Sequence, residues 1–523
     1  MRSLTRLGLV GSVLLATSVA DAATISGTVT APDGAPMRAA FVQARNAQLK
    51  MTVSVLSDNQ GRYVVENLPA GEYRVSIRAL GFTATPKTGV KLTADQNAAQ
   101  DFALQKVAVK WTEISILQGI ELMPHARGKD VLVNDCMSCH GFQSRMAATV
   151  RDEDGWRSRV EFMREAMRAS LAERRGFSDQ QAEDVTYYMT QMFGPDSVLP
   201  KSPADMPNYK NTLTEFSDEA LKIVYVDFDM PGPNRFPWTA HPDKDGTLWI
   251  PNYGASNRVG RLNPLTGETK EYTVPNLGPA LIHSAVPAAD GSVWVAQAGS
   301  KKLGRWDPKT EKFTEYEHDW RKHTIVVHPD GSIWSTGGLT RFDPKTETYT
   351  KIPEVTTAYG IGVDKEGTVW FSQQIKDGII GKVDPKTLKV TKYVPPHRDR
   401  TRRLQIGDDG TIWFAVYDDS RIGQFDPKTE KFKDFALPNK QTKPYALGIS
   451  TDKQIWYSSY YRDIMGKLDP ETGKVVEFPM PYADNGMRDF FLDKEGRMWF
   501  AAPPNNKVGY FYVANKQRSA EVR

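Results

Sequence analysis

Cysteine and histidine are rare in this sequence, and both cysteines and one of the eight histidines fall within five consecutive residues. The stretch Cys136-Met137-Ser138-Cys139-His140 has the Cys-x-x-Cys-His spacing of c-type haem attachment, in which the thiols bind the porphyrin and the histidine binds the iron. A thioredoxin-like thiol pair would need a βαβ context that the flanking pattern lacks, and structural zinc would need four ligands. A chance match is the third alternative. The motif predicts haem c, held by Cys136 and Cys139, with His140 as the proximal iron ligand.

The N-terminus has the pattern of a secretory signal. Arg2 and Arg6 flank the start of an apolar run over residues 7–19, and Ala20-Asp21-Ala22 suits signal peptidase. The run is too short to span a bilayer, and no later segment has about 18 consecutive apolar residues. We predict a signal peptide over residues 1–22 and a periplasmic location, which agrees with haem c attachment on the exported side in bacteria.

Composition limits the class of protein but not its activity. With 523 residues the chain has room for about three domains. A hydrophobic content of 40% and a charged content of 25% are ordinary for a globular protein. The net charge of +4 gives no case for nucleic-acid binding, so any basic surface that matters must be local.

Residues 23–108 show short alternating strands separated by Gly- and Pro-containing turns, which predicts a small β-sandwich. The motifs SGTV at 26–29, DNQGRY at 58–63 and LPAGEY at 68–73 resemble the carboxypeptidase regulatory-like domain, which is a transthyretin-like sandwich. The resemblance implies a non-catalytic module for packing or adhesion.

Residues 109–200 have helical periodicity around the haem motif. Apolar residues at 156, 160, 163 and 167 lie on one face of a helix, and Ser178 is a plausible N-cap of a last helix that Gly194-Pro195 ends. This order of elements resembles a small all-α class I cytochrome c domain. The resemblance implies that Met163 is the distal iron ligand.

Four other methionines leave the distal position open, since methionine also fills cores. They are Met146, Met167, Met189 and Met192. His125 is most simply interpreted as a surface histidine.

Residues 201–220 are polar and are predicted to be a linker, and residues 517–523 a tail. Between them, a repeat of the form Asp/Glu-Gly-x-apolar-Trp occurs seven times and is degenerate in the sixth copy. This repeat predicts a seven-bladed β-propeller over residues 221–516. The repeat tryptophans are Trp249, Trp294, Trp334, Trp370, Trp413, Trp456 and Trp499. The seventh unit lacks its outer strand, and residues 222–228 are predicted to supply it. The fold class is therefore mainly β and multidomain, with a sandwich, a small helical haem domain and a propeller.

The propeller repeat resembles the streptogramin (virginiamycin B) lyase family, which implies an elimination by a histidine with glutamates and Mg²⁺ at the mouth of the propeller axis. The column eleven residues before each repeat tryptophan is expected to precede the innermost strand of its blade and so to line that mouth. It contains Trp238, His283, His323, Tyr359, Arg402, Tyr445 and Arg488.

The column in which the family carries its glutamate contains no acid here: Asn252, Gln297, Gly337, Gln373, Val416, Ser459 and Ala502. A divalent cation and a lyase reaction are therefore disfavoured. With Arg321, Arg400 and Arg403 nearby, the mouth should be basic and suited to a small anionic or aromatic ligand or to an acidic redox partner. The alternative is a channel that polar residues merely solvate.

Together these features predict a periplasmic c-type haem protein that transfers electrons to or from a substrate or redox partner at the propeller mouth. Two other functions stay open. One is a lyase or hydrolase acting at the mouth, in which the haem is incidental; the other is a non-catalytic binding or scaffold protein.

Overall fold

The computed structural model describes residues 22–137, 140–170, 178–319, 323–397 and 399–514. Residues 1–21 of the predicted signal peptide, Cys139, Arg321 and the tail lie outside the described residues. Side chains of residues 166–170, including Met167, are also outside them.

The N-terminal part is a β-sandwich, as predicted. One sheet pairs Ala23–Thr30 with Arg62–Leu68, Asn97–Ala99 and Phe102–Ala103. The facing sheet contains Met51–Leu56, Phe41–Asn46, Gly71–Arg78 and Lys87–Leu92, in that order. A two-stranded ribbon joins Phe82–Thr83 to Gln105–Lys106. Alternate apolar residues such as Ile25, Val42 and Val75 are fully buried between the sheets, which is the period of a half-buried strand.

The part that follows, which we call the helical segment (residues 111–200), packs around Trp156, Tyr188 and Phe142. Ser178 caps its last helix through a reciprocal capping box with Gln181, as its position before that helix predicts. One π-helical turn ends at Cys136, the first residue of the Cys-x-x-Cys-His motif, and a second follows the motif; this rare geometry is frequent at functional sites. The helices are Ile116–Leu122, Lys129–Val131, Leu132–Cys136 (π), Gln143–Ala147 (π), Glu153–Ser170 and Asp179–Phe193.

The polar connection to the propeller is not a plain linker. It contains the short 3₁₀ helices Pro203–Asp205, Tyr209–Thr212 and Ala220–Lys222.

Six four-stranded antiparallel sheets follow in sequence order, and each is one propeller blade. The glycine of each Asp/Glu-Gly turn has a left-handed φ, for example 83° at Gly246. In the sixth blade, where the motif is degenerate, Lys453 takes this conformation with a φ of 61°. The strands of the six blades are His241–Pro242, Leu248–Pro251, Arg258–Asn263 and Glu268–Thr273; Ile282–Pro287, Val293–Gln297, Lys302–Trp306 and Phe313–Glu317; Ile325–Val327, Ile333–Ser335, Thr340–Asp343 and Thr348–Lys351; Ala358–Val363, Val369–Gln373, Ile380–Val383 and Val390–Tyr393; Thr401–Ile406, Ile412–Val416, Arg421–Asp426 and Lys431–Ala436; and Pro444–Ile449, Ile455–Ser459, Ile464–Leu468 and Val475–Pro479.

The seventh blade closes the ring as predicted. Its own strands Phe491–Leu492, Met498–Ala502 and Lys507–Val513 are completed by Ile223–Asp229, which lies before the first blade in sequence. The 3₁₀ turn Pro503–Asn505 lies between the second and third of these strands.

The closing strand also pairs on its outer edge with Met51–Leu56 of the sandwich. One eight-stranded sheet therefore runs from the centre of the propeller into the N-terminal sandwich. This pairing covers a strand edge that would otherwise be open to intermolecular pairing.

Candidate active site at the propeller mouth

The seven mouth residues predicted from the repeat are brought together, and we call them the mouth ring. In blades 2, 4, 5 and 6 the mouth residue is the second residue of the innermost strand rather than a residue before it, which corrects the predicted position. In each of these blades the strand pairing shifts register at that residue. Such a β-bulge re-aims a side chain, which explains how residues inside strands reach the mouth.

The first arc of the mouth ring is made by Trp238, His283 and His323. The indole Nε1 of Trp238 donates a hydrogen bond to His283 Nε2 at 2.7 Å. The rings of His283 and His323 are in contact, with centroids 3.5 Å apart and planes tilted by 39°. Because His283 Nε2 accepts from the indole, the ring proton of a neutral His283 lies on Nδ1. The lone pair of Nε2 is already engaged in the hydrogen bond with Trp238.

The second arc contains hydrogen-bonded phenols and two guanidinium groups. The hydroxyls of Tyr359 and Tyr445 are hydrogen-bonded to each other. The guanidinium of Arg402 lies 4.3 Å from the ring centroid of Tyr445. That of Arg488 lies 4.0 Å from the ring centroid of Trp238, which closes the ring.

Beneath the mouth ring, Arg403 forms an ion pair with Asp489, with Nε and Oδ2 3.2 Å apart and both side chains buried. Burial raises the pKa of the Asp489 carboxyl to about 6, although Arg403 opposes the shift. Burial would also raise the pKa of the Tyr445 phenol, but Arg402, Arg488 and Arg403 outweigh it and lower that pKa below its ordinary value. Three guanidinium groups therefore act together on the phenol at the centre of this arc.

The helical segment covers the mouth. Its apolar core continues into four tyrosines of the propeller: Tyr417, Tyr445, Tyr460 and Tyr461. The backbone N–H of Leu117 donates to the Tyr461 carbonyl at 2.8 Å, and the hydroxyl of Ser144 donates to Asp484 at 2.7 Å. The helical segment therefore packs directly against the propeller beside the mouth ring.

This docking brings the haem motif next to the mouth ring. His140 is half-buried, and its Nδ1 lies 2.8 Å from the carbonyl oxygen of Gly141. Burial lowers the pKa of His140, and the charges of Arg145, Asp484 and Arg488 act on it. Cys136 is half-buried against the core of the helical segment.

The described residues of the motif fit a haem iron. A hydrogen bond from Nδ1–H to a backbone carbonyl leaves Nε2 unprotonated, which is how proteins fix a metal-binding histidine. Met163 is half-buried and is not among the methionines of the core that Cys136 packs against. Those include Met146, Met189 and Met192. His125 is exposed.

The mouth does not fit the divalent cation that the lyase resemblance implies. Within the described ranges, no three side chains of the types His, Cys, Asp and Glu come together as metal ligands. His283 contacts the indole of Trp238 and the hydroxyl of Ser284, and His323 contacts the phenol ring of Tyr359 and the hydroxyl of Thr324. None of these is a carboxylate, the side chain through which proteins usually hold Mg²⁺.

Two further columns of the repeat also supply residues at the mouth, and of these residues only Arg403 was named from the sequence. Four residues after the repeat tryptophan stand Tyr253, Tyr417 and Tyr460, and all three contact the mouth ring. One residue after the mouth column stand Arg403 and Asp489. An enrichment in tyrosine and an opposite-charge pair in these columns could have revealed them.

A cavity of about 600 Å³ lies between the helical segment and blades 5 and 6. Its volume is in the range of small-molecule sites. It reaches the mouth ring through Tyr417, whose ring centroid is 3.9 Å from the Arg402 guanidinium. Its lining is Leu117, Ile120, Glu121, Val133, Asn134, Arg400, Tyr417, Asp418, Gln441, Lys443 and Tyr461.

None of the helices in the described part of the chain combines the length and the apolar character needed to cross a membrane.

Comparisons with known proteins agree with the fold. Residues 24–105 match the model of the carboxypeptidase regulatory-like domain, and residues 345–520, about a third of the chain, match that of the virginiamycin B lyase family. No curated protein matches the sequence.

Solved structures of similar fold include selenomethionine-substituted virginiamycin B lyase from Staphylococcus aureus, at 20% identity and a TM-score of 0.51, covering 55% of this chain and 98% of the lyase. A streptogramin B lyase structure has the same identity and TM-score, with 56% and 98% covered. A catalytically inactive S. aureus virginiamycin B lyase with quinupristin matches at 20% identity and a TM-score of 0.50, with 55% and 99% covered. At this identity the likeness shows that the C-terminal part of the chain is a lyase-like β-propeller.

Proposed function

We propose that this chain is an exported, periplasmic c-type haem protein that passes electrons between a haem on Cys136, Cys139 and His140 and a small substrate or redox partner. The observation that carries the proposal is the position of His140. It lies at the contact between the helical segment and the propeller, where the charge of Arg488 from the mouth ring acts on it. A redox centre on this histidine would be adjacent to the propeller mouth.

A histidine-ligated haem c supplies a one-electron carrier, whose potential depends on the second axial ligand and on nearby charges. The chain's own residues supply the setting. The Gly141 carbonyl orients His140, and the tyrosines shared by the two parts exclude water from their contact. The guanidinium groups of the mouth ring favour the more reduced, less positive state of a neighbouring centre.

The cavity beside the mouth ring supports a small substrate rather than a protein at this position. An electron partner would then contact the outer surface of the helical segment, while the small molecule enters between that segment and blades 5 and 6.

The experiment is an optical spectrum, oxidised and dithionite-reduced, of protein expressed with haem-c maturation. A sharp reduced α-band is expected for a low-spin haem, and a weak near-infrared sulfur-to-iron band for Met ligation. Met163→Ala should abolish the near-infrared band, whereas Met189→Ala, a matched core methionine, should keep it.

Two outcomes would contradict the proposal in different ways. A high-spin spectrum that shifts with CO would show an open iron and direct attention to catalysis at the haem. A Cys136→Ser, Cys139→Ser variant is the negative control, because it cannot hold haem that survives denaturation. If protein with both cysteines intact also carries no such haem, the haem function is refuted.

A further inference from the structure

The cavity between the helical segment and blades 5 and 6 has a polar opening and an aromatic inner end. Three of its lining residues are exposed and mark the opening to solvent: Glu121, Asn134 and Gln441. Tyr417 and Tyr461 are buried and mark the inner end. A ligand from solvent would therefore pass polar side chains before it reaches the tyrosines.

The two side walls of the cavity differ in chemistry. The helical segment contributes aliphatic side chains, which are Leu117, Ile120 and Val133. The propeller contributes charged side chains, which are Arg400, Asp418 and Lys443. The hydroxyl of Tyr461 donates to the Val133 carbonyl at 3.3 Å and joins the two walls. Apolar packing combined with a few convergent polar groups is typical of small-molecule sites.

The charged wall has more hydrogen-bond donors than acceptors. Arg400 donates to both oxygens of Asp418, and Lys443 donates to Asp418 Oδ1 at 3.0 Å. Burial would raise the pKa of the Asp418 carboxyl, but Arg400 and Lys443 outweigh it and lower that pKa to about 2, so Asp418 stays ionised. The Lys443 ammonium has three N–H groups, and Asp418 is its one side-chain acceptor in the part of the chain that the structure describes. This wall therefore favours a ligand oxygen that accepts hydrogen bonds.

A second donor lies at the inner end of the cavity. The hydroxyl of Tyr417 has no hydrogen-bond partner among the described residues, although the residue is only 2% exposed. Buried hydroxyls without a partner are rare and indicate a place for water or a ligand. The Lys443 ammonium lies 5.6 Å from the centroid of the Tyr417 ring, so the two donors belong to the same end of the cavity. Together they suit one carbonyl oxygen, which has two lone pairs.

The charges of the lining favour a neutral ligand. Arg400 and Lys443 supply two positive charges, and Asp418 and Glu121 supply two negative charges. A carboxylate or an ammonium ion would upset this balance and would lose its hydration against the aliphatic wall. A flat apolar ring with a carbonyl oxygen fits both the charge balance and the aliphatic wall.

The cavity also lies against the turn that leads into the haem motif. Val133 and Asn134 of its lining belong to the π-helical turn Leu132–Cys136, which ends at the first predicted haem cysteine. A ligand in the cavity would therefore be close to a group attached at Cys136.

We propose that this cavity binds a neutral quinone. The ring packs between the aliphatic wall and Tyr461, and one carbonyl oxygen accepts hydrogen bonds from the Tyr417 hydroxyl and the Lys443 ammonium. The choice of a quinone among aromatic carbonyl compounds rests on the proposed function, because quinones exchange electrons. The binding of the ring and its carbonyl needs no haem.

The test is calorimetry on the matured, oxidised full-length protein with duroquinone, a methyl-substituted quinone. Ligand and protein are then both oxidised, so the heat reports binding and not electron transfer. Tyr417→Phe and Lys443→Met should each raise the Kd about tenfold, the usual effect of one lost hydrogen bond of this kind. Val133→Trp, which places a large side chain in the cavity, should abolish binding.

Two probes of similar size test the chemistry of the ligand. Tetramethylphenol replaces the carbonyl with a hydroxyl, and tetramethylbenzoate adds a negative charge, so both should bind more weakly than duroquinone. Lys474→Met and Leu265→Trp are the matched control variants. Lys474 pairs with Glu219 at 3.0 Å, and Leu265 is 83% exposed in the turn after the third strand of blade 1. Both variants should bind duroquinone as wild type does.

Melting temperatures separate a binding role of Tyr417 from a structural one. Because its hydroxyl has no partner within the described ranges, Tyr417→Phe should melt no lower than wild type while it binds duroquinone more weakly. A lower melting temperature with unchanged affinity would refute the proposed contact. If Val133→Trp fails to fold, Tyr417→Phe still decides.

Absence of duroquinone binding would overturn the proposal, and so would a Kd that Tyr417→Phe and Lys443→Met leave unchanged. Tighter binding of tetramethylbenzoate than of duroquinone would show an anion site and would overturn it as well. Absence of covalent haem would refute the proposed function, yet the duroquinone measurement would still decide what the cavity binds.

Discussion

Gly141 offers the sharpest test that the haem motif is docked on the propeller. A Cβ at this position would lie 2.1 Å from Gln143 Oε1 and 2.7 Å from Asp484 Oδ1. Neither atom can move away freely. Gln143 is buried and donates to the Ile114 carbonyl, and Asp484 is buried and accepts from Ser144.

The Gly141→Ala variant should therefore be destabilised by about 1–3 kcal/mol, the usual cost of forcing one carbon into a packed site. Urea denaturation measures this free energy of unfolding, and the haem content of the purified protein reports on the motif. Gly278→Ala is the matched control, because that glycine is exposed and a Cβ would meet no atom within 4 Å.

A double-mutant cycle separates docking from strain within the loop. If Asp484 contributes to the clash, Asp484→Ala should cost less in the Gly141→Ala background than alone, with a coupling of about 0.5–3 kcal/mol. Equal stability of Gly141→Ala and Gly278→Ala, or no coupling with Asp484, would refute the docked arrangement.

Two further predictions concern the buried groups of the propeller. Because folding raises the pKa of Asp489 from 3.8 to about 6, the folded state holds a proton that the unfolded state releases. The free energy of unfolding should therefore fall by up to about 3 kcal/mol as pH rises from about 4 to about 6. Asp489→Asn should flatten that part of the pH profile, and an unchanged slope would show that Asp489 is not the group that titrates. Tyr225 of the closing strand is fully buried and donates to the Pro479 carbonyl at 2.8 Å, so Tyr225→Phe should cost about 1–2 kcal/mol in urea denaturation, and wild-type stability would show that this bond contributes nothing.

The sequence was sufficient for the repeating and local features of the fold. Seven repeat tryptophans predicted the blades, and the unfilled seventh unit predicted that Ile223–Asp229 closes the ring. Ser178 was recognisable as an N-cap because the capping side chain and the helix it caps are neighbours in sequence. In a repeat, equivalent residues occupy equivalent positions in every blade, so each copy supports the structural assignment of the others.

The contacts between the sandwich, the helical segment and the propeller could not be predicted from the sequence. The pairing of Val53 with Val226, which joins sandwich and propeller in one sheet, links two strands whose apolar patterns would suit many partners. The docking of the helical segment depends on Tyr461 and Leu117, which are far apart in the chain and unremarkable in their local patterns. Pattern reasoning reports the period of an element, but it does not specify which exposed edge or face will be covered.

The mouth ring is covered by the helical segment rather than open to solvent. An electropositive ring open to solvent would suit an acidic protein, and its charges would be screened by salt. Under the helical segment the same guanidinium groups are buried, so their fields are stronger and the space beside them is small. The covered mouth therefore favours a small occupant over an acidic redox protein, in a space adjacent to the histidine that the sequence singles out for haem iron.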